Sequence, residues 1–312
     1  MVHLTMARVL ITGMASSLAR RLGVMLVDRG DEVVGVDYRP EPPHLDKRIP
    51  FYQANYNKTR IEDVFRHHQF ETVLHLGRVG NLKEEMGKRF DLNVLGSQKI
   101  MNLCLAGKVK RLIVLSTFHI YGAHPANHIP ISEEDPLRAG ADFPQIADAI
   151  QLDNMAATWV YQHRAIRTVV LRPTNVVGPN TQNAMSKFLR ASRVPHLMGF
   201  NPMVQFVHED DLARAIMAAA DGGAVGVFNV AGSGVLPWRS ALKLARASTF
   251  PLPAPAAMAF VQLATRFPLY LVNFFRYPCV IADRKFRDTF HWAPQVSLED
   301  TIWTTVQQAR GA

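Results

Sequence analysis

The chain has 312 residues, of which 48% are hydrophobic and 20% charged, with a net charge of +9 at pH 7. This balance excludes a disordered protein, and the length allows one large core with a smaller lobe. The sequence has only 2 cysteines, Cys104 and Cys279, so it is not a disulfide scaffold and a reducing cytoplasm is expected, with both cysteines in the core.

The positive charge suits anionic partners such as nucleotides, acidic lipids or nucleic acid, but Lys and Arg are spread along the chain without a basic block. Charge alone therefore does not predict a specific nucleic-acid partner. The N-terminal stretch MVHLTMARVL has no long apolar run with a cleavage site, so a signal peptide is not expected.

The first predicted element is a buried strand at Val9–Ile11, followed by Thr12-Gly13 and a basic helix. This order is typical of a dinucleotide-binding loop, whose glycines permit a tight turn, close approach of the pyrophosphate and helix–strand packing. In the pattern T-G-x-x-G-x-x-G, Ser16 and Ala19 replace the second and third glycines. The Ser16 β-carbon is expected to crowd a phosphate, unless its hydroxyl donates to that phosphate at the positive end of the helix.

A second buried strand, Val33–Val36, ends at Asp37. An acid about 20 residues beyond the loop is where a carboxylate binds the ribose 2′-hydroxyl of NAD. Asp37 therefore favours NAD, because a carboxylate repels the 2′-phosphate of NADP. Arg39 leaves NADP as the less favoured alternative.

Four further apolar runs continue the pattern, most of them separated by segments long enough for a helix: Thr72–Leu76, Arg111–Leu115, Thr168–Leu171 and Gly226–Val230. This βαβ rhythm predicts an α/β fold, a Rossmann-type doubly wound parallel sheet with a smaller C-terminal substrate lobe. The dinucleotide-binding core is expected over residues 5–177, with its sheet completed by 204–232. The substrate lobe is expected over 178–203 and 233–312, where the rhythm breaks and prolines accumulate.

A series of short motifs in a fixed order carries a family resemblance. They include Thr12-Gly13, Asp37, Asn55, VLHLG at 73–77, Asn93 in NVLGS, LSTFHIYG at 115–122, LRPTNVVGP at 171–179, FVHEDDLARA at 206–215, VFNVAG at 227–232 and FHWAP near the end. On these motifs the chain resembles the extended short-chain dehydrogenase/reductases, in particular the NAD-dependent epimerase/dehydratase family. Homodimers formed through two helices are common in that family, so the resemblance implies a homodimer as an expectation.

The resemblance implies a set of cofactor-binding residues. Asn55 stands where the family has an Asp beside the adenine, and its amide oxygen can keep an acceptor there. Leu76, Gly77 and Arg78 would line the cofactor after the fourth strand of the family fold. The full expected set is Thr12, Gly13, Ser16, Leu18, Asp37, Asn55, Leu76, Gly77, Arg78, Asn93, Ser116 and Pro173.

The family's catalytic machinery is incomplete in this sequence. Thr117 fills the Ser/Thr position, but the segment that should carry Tyr-x-x-x-Lys, residues 141–159, contains neither Tyr nor Lys. The register places Ile146 and Ile150 at those positions, with Ala149 and Asp153 as the alternative. Positioned proton transfer contributes on the order of 10² to 10⁴-fold to a rate, so ordinary family catalysis should be crippled.

Two kinds of side chain could replace the lost tyrosine. His119, two residues after Thr117, can titrate near neutrality, although a packing histidine is the simpler interpretation. Asp148 and Asp153 lie on the same predicted helix, where exposed helix charge is the simpler interpretation.

The expected substrate contacts are Thr117, Asn175 and Val204. In sugar-nucleotide epimerases of the family an Arg clamps the substrate diphosphate, and Val204 stands at that position, with Gln205 in place of the following Asp. The run His208–Asp211 consists of metal-ligand types, but its family role is to start a helix and support the sheet, so no metal is expected.

The segment Phe250–Ala282 is almost uncharged and rich in proline. It is expected to line an apolar substrate pocket, to form a surface for a protein partner or a membrane, or to be ordinary core. Two functions therefore remain open: an NAD-binding protein with impaired catalysis that acts through cofactor, partner or ligand binding, and an NAD-dependent oxidoreductase or epimerase acting on an apolar hydroxyl or keto substrate. Whether the protein is an enzyme is left undecided by the sequence.

Overall fold

The computed structural model describes residues 7–80, 84–256 and 269–310. The strands, numbered in chain order, are β1 Arg8–Thr12, β2 Glu32–Asp37, β3 Phe51–Gln53, β4 Thr72–His75, β5 Arg111–Leu115, β6 Arg167–Pro173, β7 Asn175–Val177, β8 Arg193–Leu197, β9 Met203–Val204, β10 Phe206–His208, β11 Gly226–Val230, β12 Leu236–Pro237 and β13 Ser248–Leu252.

The α-helices are α1 Ser17–Arg29, α2 Arg60–His67, α3 Met86–Phe90, α4 Gly96–Ala106, α5 Ala139–Asp142, α6 Ala147–Gln162, α7 Ala184–Arg190, α8 Glu209–Asp221, α9 Trp238–Leu244, α10 Arg284–Phe290 and α11 Leu298–Arg310. A π turn at Asp91–Leu95 joins α3 to α4, and short 3₁₀ turns lie at Phe118–Tyr121, Pro144–Ile146 and Leu269–Phe275.

A seven-stranded sheet with the order β3-β2-β1-β4-β5-β6-β11 forms the centre of the fold. The five neighbouring pairs from β3 to β6 are parallel. The strand order reverses between β1 and β4, which is the switch point where open α/β sheets bind ligands. The predicted α/β Rossmann-type fold and all six predicted strands are confirmed, whereas the edge strand β3 was missed because it is only 3 residues long and half exposed.

The chain divides into two compact units. The first comprises residues 1–116, 151–171 and 213–227, and the second comprises 117–150, 172–212 and 228–312. The two units are defined by contacts between residues, whereas the predicted domain limits follow the strands of the central sheet. The two divisions rest on different criteria, so the predicted domain limits stay a prediction.

The core of the first unit packs around the inner strands. Leu10, Val36, Val73 and Val114 are buried in one cluster that also contains Cys104, as predicted for that cysteine. These strands are nearly continuous apolar runs because both faces of a parallel sheet are covered.

The second unit has its own apolar clusters and smaller sheets. Val204, Phe206 and Trp238 are buried in one cluster, and Cys279 lies in another. Strand β13 pairs in parallel with β8, so the start of the apolar segment Phe250–Ala282 belongs to a sheet. Residues 257–268 of that segment lie outside the described residues. Among the residues that are described, no helix is long and apolar enough to cross a membrane.

The acidic run at the start of α8 ties parts of the second unit together. Glu209 accepts hydrogen bonds from Asn180 N–H at 3.0 Å and from the Thr181 hydroxyl at 2.5 Å. Asp211, fully buried, accepts from the backbone N–H groups of Gln295 at 2.8 Å and Val296 at 3.1 Å. These carboxylates satisfy buried backbone donors, which is a structural role.

We expect Asp211→Asn to lower the free energy of unfolding by about 1–3 kcal/mol, because an amide presents one acceptor oxygen and turns an N–H donor toward a backbone donor. The measurement is chemical denaturation. Asp288→Asn is the matched control, since the Asp288 side chain is 70% exposed and pairs only on the surface with Arg284. Equal effects of the two substitutions would contradict this assignment.

Candidate functional site

Two loops cross at the switch point, one after β1 and one after β4. Gly13 has φ +79°, and a β-carbon on it would lie 2.8 Å from Gly77 Cα. A β-carbon on Gly77 would in turn lie 2.5 Å from the hydroxyl oxygen of Tyr56. Both positions therefore require glycine, for close approach and, at Gly13, for left-handed backbone.

Backbone and side-chain contacts fix the first loop. Gly13 N–H donates to Val36 O at 2.8 Å and lies 2.9 Å from the Tyr56 hydroxyl, which also accepts from it. Tyr56 is fully buried, and this burial raises the pKa of its hydroxyl well above 10.0, so it remains protonated.

A buried polar chain lies directly beneath the crossing. Thr12 Oγ1 is 2.7 Å from His75 Nδ1, and His75 Nε2 is 2.7 Å from Ser97 Oγ. Gly77 N–H donates to Thr12 Oγ1 at 3.2 Å, so this chain also holds the second loop. Burial lowers the pKa of His75 from 6.5 to about 4, which keeps the imidazole neutral, with one donor and one acceptor nitrogen for the two hydroxyls.

The Ser16 hydroxyl caps α1. Ser16 has extended backbone, and its Oγ accepts from Ala19 N–H at 3.2 Å. The hydroxyl proton stays available to an anion at this helix end, where the helix dipole favours negative charge. Met14, which directly follows Gly13, is fully buried and therefore belongs to the core.

Asp37 is fully buried at the end of β2 and braces the same loop. Its Oδ2 accepts from Ala15 N–H at 2.9 Å, and its Oδ1 accepts from Arg39 N–H at 2.9 Å. The Arg39 guanidinium binds both carboxylate oxygens, with Nε 3.1 Å from Oδ1 and Nη2 3.0 Å from Oδ2.

Other predicted cofactor residues shape the rim of the crossing. Asn93 is buried, accepting from Val79 N–H at 2.7 Å and donating to Val79 O at 3.1 Å, so it positions the loop after β4. Asn55 accepts from Asn57 N–H at 2.9 Å through Oδ1, which forms a local turn. Leu76 is buried, whereas Leu18 and Arg78 are half-buried.

Ser116 directly follows β5 and is the last residue of the first segment of the first unit. Its side chain is 2% exposed, and Oγ has no hydrogen-bond partner within the described part of the chain. Buried hydroxyl groups are normally hydrogen-bonded, so an orphaned one points to a bound ligand or water.

In the second unit the structure brings together the two predicted catalytic residues. Thr117 Oγ1 lies 2.8 Å from His119 Nδ1. The imidazole packs against Phe118 at 4.3 Å between ring centroids and against Phe274 at 5.0 Å, and Phe143 lies 6.3 Å from Phe274. His119 is therefore both a packing histidine and a hydrogen-bonded partner of Thr117.

The remaining predicted substrate residues lie in the small strands of the second unit. Asn175 Nδ2 donates to Gln205 O at 3.2 Å, and Val204 is 6% exposed within an apolar cluster. Gln205 exchanges two hydrogen bonds with the backbone of Ile281, accepting at 3.1 Å and donating at 3.2 Å. Pro173 is buried at the end of β6. The roles of these residues toward a ligand stay predictions.

The helix expected to carry the Tyr-Lys pair begins at Ala147. Ile146 is 4% exposed in the 3₁₀ turn just before it, and Ile150 is half-buried. The interpretation of the two aspartates as exposed helix charge is wrong, since Asp148 is 3% exposed and Asp153 is fully buried. The expectation failed because it placed the two acidic side chains on the solvent side of the helix, whereas both lie on the one face of α6 that is buried.

No group of three or more His, Cys, Asp or Glu side chains within the described ranges is arranged to hold a metal ion. The run His208–Asp211 accordingly offers no such cluster, and two of its carboxylates serve backbone and hydroxyl donors.

Sequence reasoning missed two residues that hold the site, Tyr56 and the buried His75. Tyr56 follows Asn55 directly, and His75 is the third residue of VLHLG. A histidine inside an otherwise apolar strand was the available signal for a buried polar network.

Comparison with known proteins gives the family. The model of the NAD-dependent epimerase/dehydratase family matches residues 9–231. An uncharacterised protein of Mycobacterium tuberculosis is 27% identical over 257 residues, which is 79% of this chain and 67% of that protein. The human short-chain dehydrogenase/reductase family 42E member 1 is 26% identical over 230 residues, 68% of this chain and 58% of the human protein.

A solved structure shares the fold over nearly the whole chain. The UDP-glucose 4-epimerase of Thermus thermophilus, determined in complex with NAD, has a TM-score of 0.78 and covers 98% of this chain and 99% of its own. Its sequence identity is 22%, so the likeness is one of fold.

We expect acid to destabilise the protein through His75. The unfolded chain binds a proton below about pH 6.5, whereas folded His75 binds one only below about pH 4, so the stability from this group is complete above pH 6.5 and is lost as the pH falls. The slope is about 1.4 kcal/mol per pH unit between the two values.

The measurement is urea unfolding from pH 7.5 to 4.5. His75→Gln should remove about that slope, while His67→Gln, which alters an exposed histidine, should leave it unchanged. An unaltered slope in His75→Gln would contradict the neutral, buried assignment.

Proposed function

Since the chain belongs to the NAD-dependent epimerase/dehydratase family, we propose that it binds NAD at the crossing of the loops after β1 and β4. The observation that carries this proposal is the approach of Gly13 to Gly77, where a β-carbon would lie 2.8 Å from the opposite backbone. The loop after β1 leads directly into the N-terminus of α1, where the helix dipole favours an anion, and the orphaned buried hydroxyl of Ser116 fits a ligand as well.

The residues present fit a dinucleotide. Backbone N–H groups at the start of α1 would hold the pyrophosphate, Asp37 the adenosine ribose, and Asn55 the adenine. NAD, when bound, supplies a hydride acceptor, and this chain's own residues bind it, orient it and shield it from water.

The protein is further proposed to be impaired in the family's ordinary chemistry. No Tyr or Lys occurs in residues 141–159, and the positions matched to that pair, Ile146 and Ile150, have no ionisable group to take or give a proton. Val204, at the position of the diphosphate-clamping Arg, lies in an apolar cluster. The absence of the Tyr-Lys pair and the absence of the diphosphate-clamping Arg both argue against turnover of sugar nucleotides. They favour a protein that acts by binding the cofactor together with a ligand or a partner.

The second candidate function is an oxidoreductase with a different acid/base. It is favoured by the 2.8 Å contact between Thr117 Oγ1 and His119 Nδ1. A neutral imidazole in this position can accept the threonine proton while the threonine accepts one from a substrate hydroxyl. Phe118 and Phe274 pack against His119, and Phe143 packs against Phe274, so these apolar surroundings suit an apolar hydroxyl or keto substrate over a sugar.

We expect Ser16→Gly to tighten NAD binding severalfold, because it removes the β-carbon at a position where the family has glycine, while glycine costs only a few tenths of a kcal/mol as a helix cap. Calorimetric titration of NAD measures the change. Ser16→Ala is the matched control, since it keeps the β-carbon and loses the hydroxyl. Tighter binding by wild type than by both variants would show that the hydroxyl serves as a phosphate donor.

We expect wild type to show no measurable NADH production from UDP-sugars and no epimerisation of UDP-galactose, which is assayed separately because it releases no NADH. Restoring the dyad with Ile146→Tyr and Ile150→Lys should leave UDP-sugar turnover low, because the substrate clamp is still missing. Robust turnover of a UDP-sugar by wild type would overturn the impaired assignment.

The same assay with hydrophobic alcohols tests the second candidate. If wild type turns over an apolar alcohol, Thr117→Val and His119→Gln should each lower the rate by about 10² to 10⁴-fold. Phe200→Leu, at a residue that packs against Tyr277 and Arg276, is the control for a general loss of packing in the second unit.

A further inference from the structure

The carboxylate of Asp37 is fully engaged by the protein itself. An ionised carboxylate offers about four lone-pair positions. Backbone N–H groups of Ala15 and Arg39 take one on each oxygen, at 2.9 Å in both cases. The Arg39 guanidinium takes one more on each oxygen, at 3.1 and 3.0 Å.

A ribose hydroxyl that donates to Asp37 therefore needs one of these positions to be vacated. The two backbone donors belong to the loop after β1 and to the chain just after β2, so their positions are set by the course of the main chain. The Arg39 side chain can leave, because it is 45% exposed whereas the Asp37 side chain is completely buried. Its guanidinium carbon is already 5.6 Å from the Tyr38 ring centre, within reach of a cation–π contact.

We propose that Arg39 is a specificity-determining residue of the cofactor site, whose guanidinium competes with the adenosine ribose of NAD for the Asp37 carboxylate and, once displaced, lies beside the ribose 2′ position. The inference rests on the proposed binding of NAD. Arg39 would thus have two effects. Its guanidinium would compete with NAD for the Asp37 carboxylate, and its positive charge would reduce the repulsion between Asp37 and the 2′-phosphate of NADP.

The competition is expected to be moderate. The pair between Arg39 and Asp37 is forked, which strengthens it, but a guanidinium that is nearly half exposed gains little net free energy from pairing. Displacing it should therefore weaken NAD binding by about threefold to tenfold relative to a chain without the guanidinium.

The chain contains a matched control for this arrangement. Asp46 and Arg48 repeat the same spacing and the same fork, with Arg48 N–H and Nε on Oδ1 at 2.9 and 3.0 Å and Nη2 on Oδ2 at 2.6 Å. Arg48 also contacts Asp28, and neither Asp46 nor Arg48 belongs to the proposed cofactor site. Arg48→Ala thus removes an Arg from a D-x-R fork without touching Asp37.

The experiment is calorimetric titration of NAD and NADP into the purified full chain and its variants. Arg39→Ala should bind NAD about threefold to tenfold more tightly than wild type, and NADP more weakly by a similar factor, since Asp37 then faces the 2′-phosphate without its cation. Arg39→Lys should be intermediate, because an ammonium cannot fill both positions of the fork. Arg48→Ala should leave both affinities within about twofold of wild type.

Equal or weaker NAD binding by Arg39→Ala, with wild type still binding, would overturn the role of Arg39 and leave the proposed function standing. Failure of wild type and all variants to bind NAD and NADP would overturn both. If Arg39→Ala binds NAD and wild type does not, the result would support a competition strong enough to prevent NAD binding. If Arg39→Ala fails to fold, Arg39→Lys carries the test, with unchanged affinities as the contrary result.

Discussion

The contact between the backbones at Gly13 and Gly77 is the constraint on which the rest of the site depends. A β-carbon on Gly13 would clash with the backbone of Gly77, and one on Gly77 would clash with the Tyr56 side chain. This proximity follows from the pairing of Thr12 with His75 in adjacent parallel strands, which places both loops at the same sheet edge. Thr12, His75 and Ser97 satisfy each other beneath the crossing, and the Tyr56 hydroxyl accepts from the first loop beside it.

The cleft is thus organised by the protein's own hydrogen bonds before any ligand is considered. Ser16 caps the helix, Asn93 holds the loop after β4, and Asp37 holds the loop after β1. Preorganisation lowers the entropic cost of binding. It also means that a group needed by the ligand can be engaged internally, as the Asp37 carboxylate is by Arg39.

The proposed cofactor site and the proposed catalytic segment differ in what their residues provide. Gly13, Gly77 and Asp37 each have a defined structural role at the crossing, whereas Ile146, the position expected from the family resemblance for the tyrosine, is buried just before α6. A binding function requires only the first group of residues. Chemistry requires a proton path, and that is the role proposed above for the hydrogen-bonded Thr117 and His119.

The sequence alone determined the fold class and the six strands that have apolar runs, because these depend on local periodicity. It also determined the order of Thr12-Gly13 and, 24 residues after Gly13, Asp37, because that order is a short motif. It did not predict β3, the burial of Asp148 and Asp153, or the role of Tyr56. Only the tertiary structure decided these, because burial and hydrogen-bond partners depend on segments far apart in the chain. The same reason explains Arg39: its proximity to Asp37 is visible in the sequence, but the filling of every acceptor position also depends on Ala15, 22 residues away.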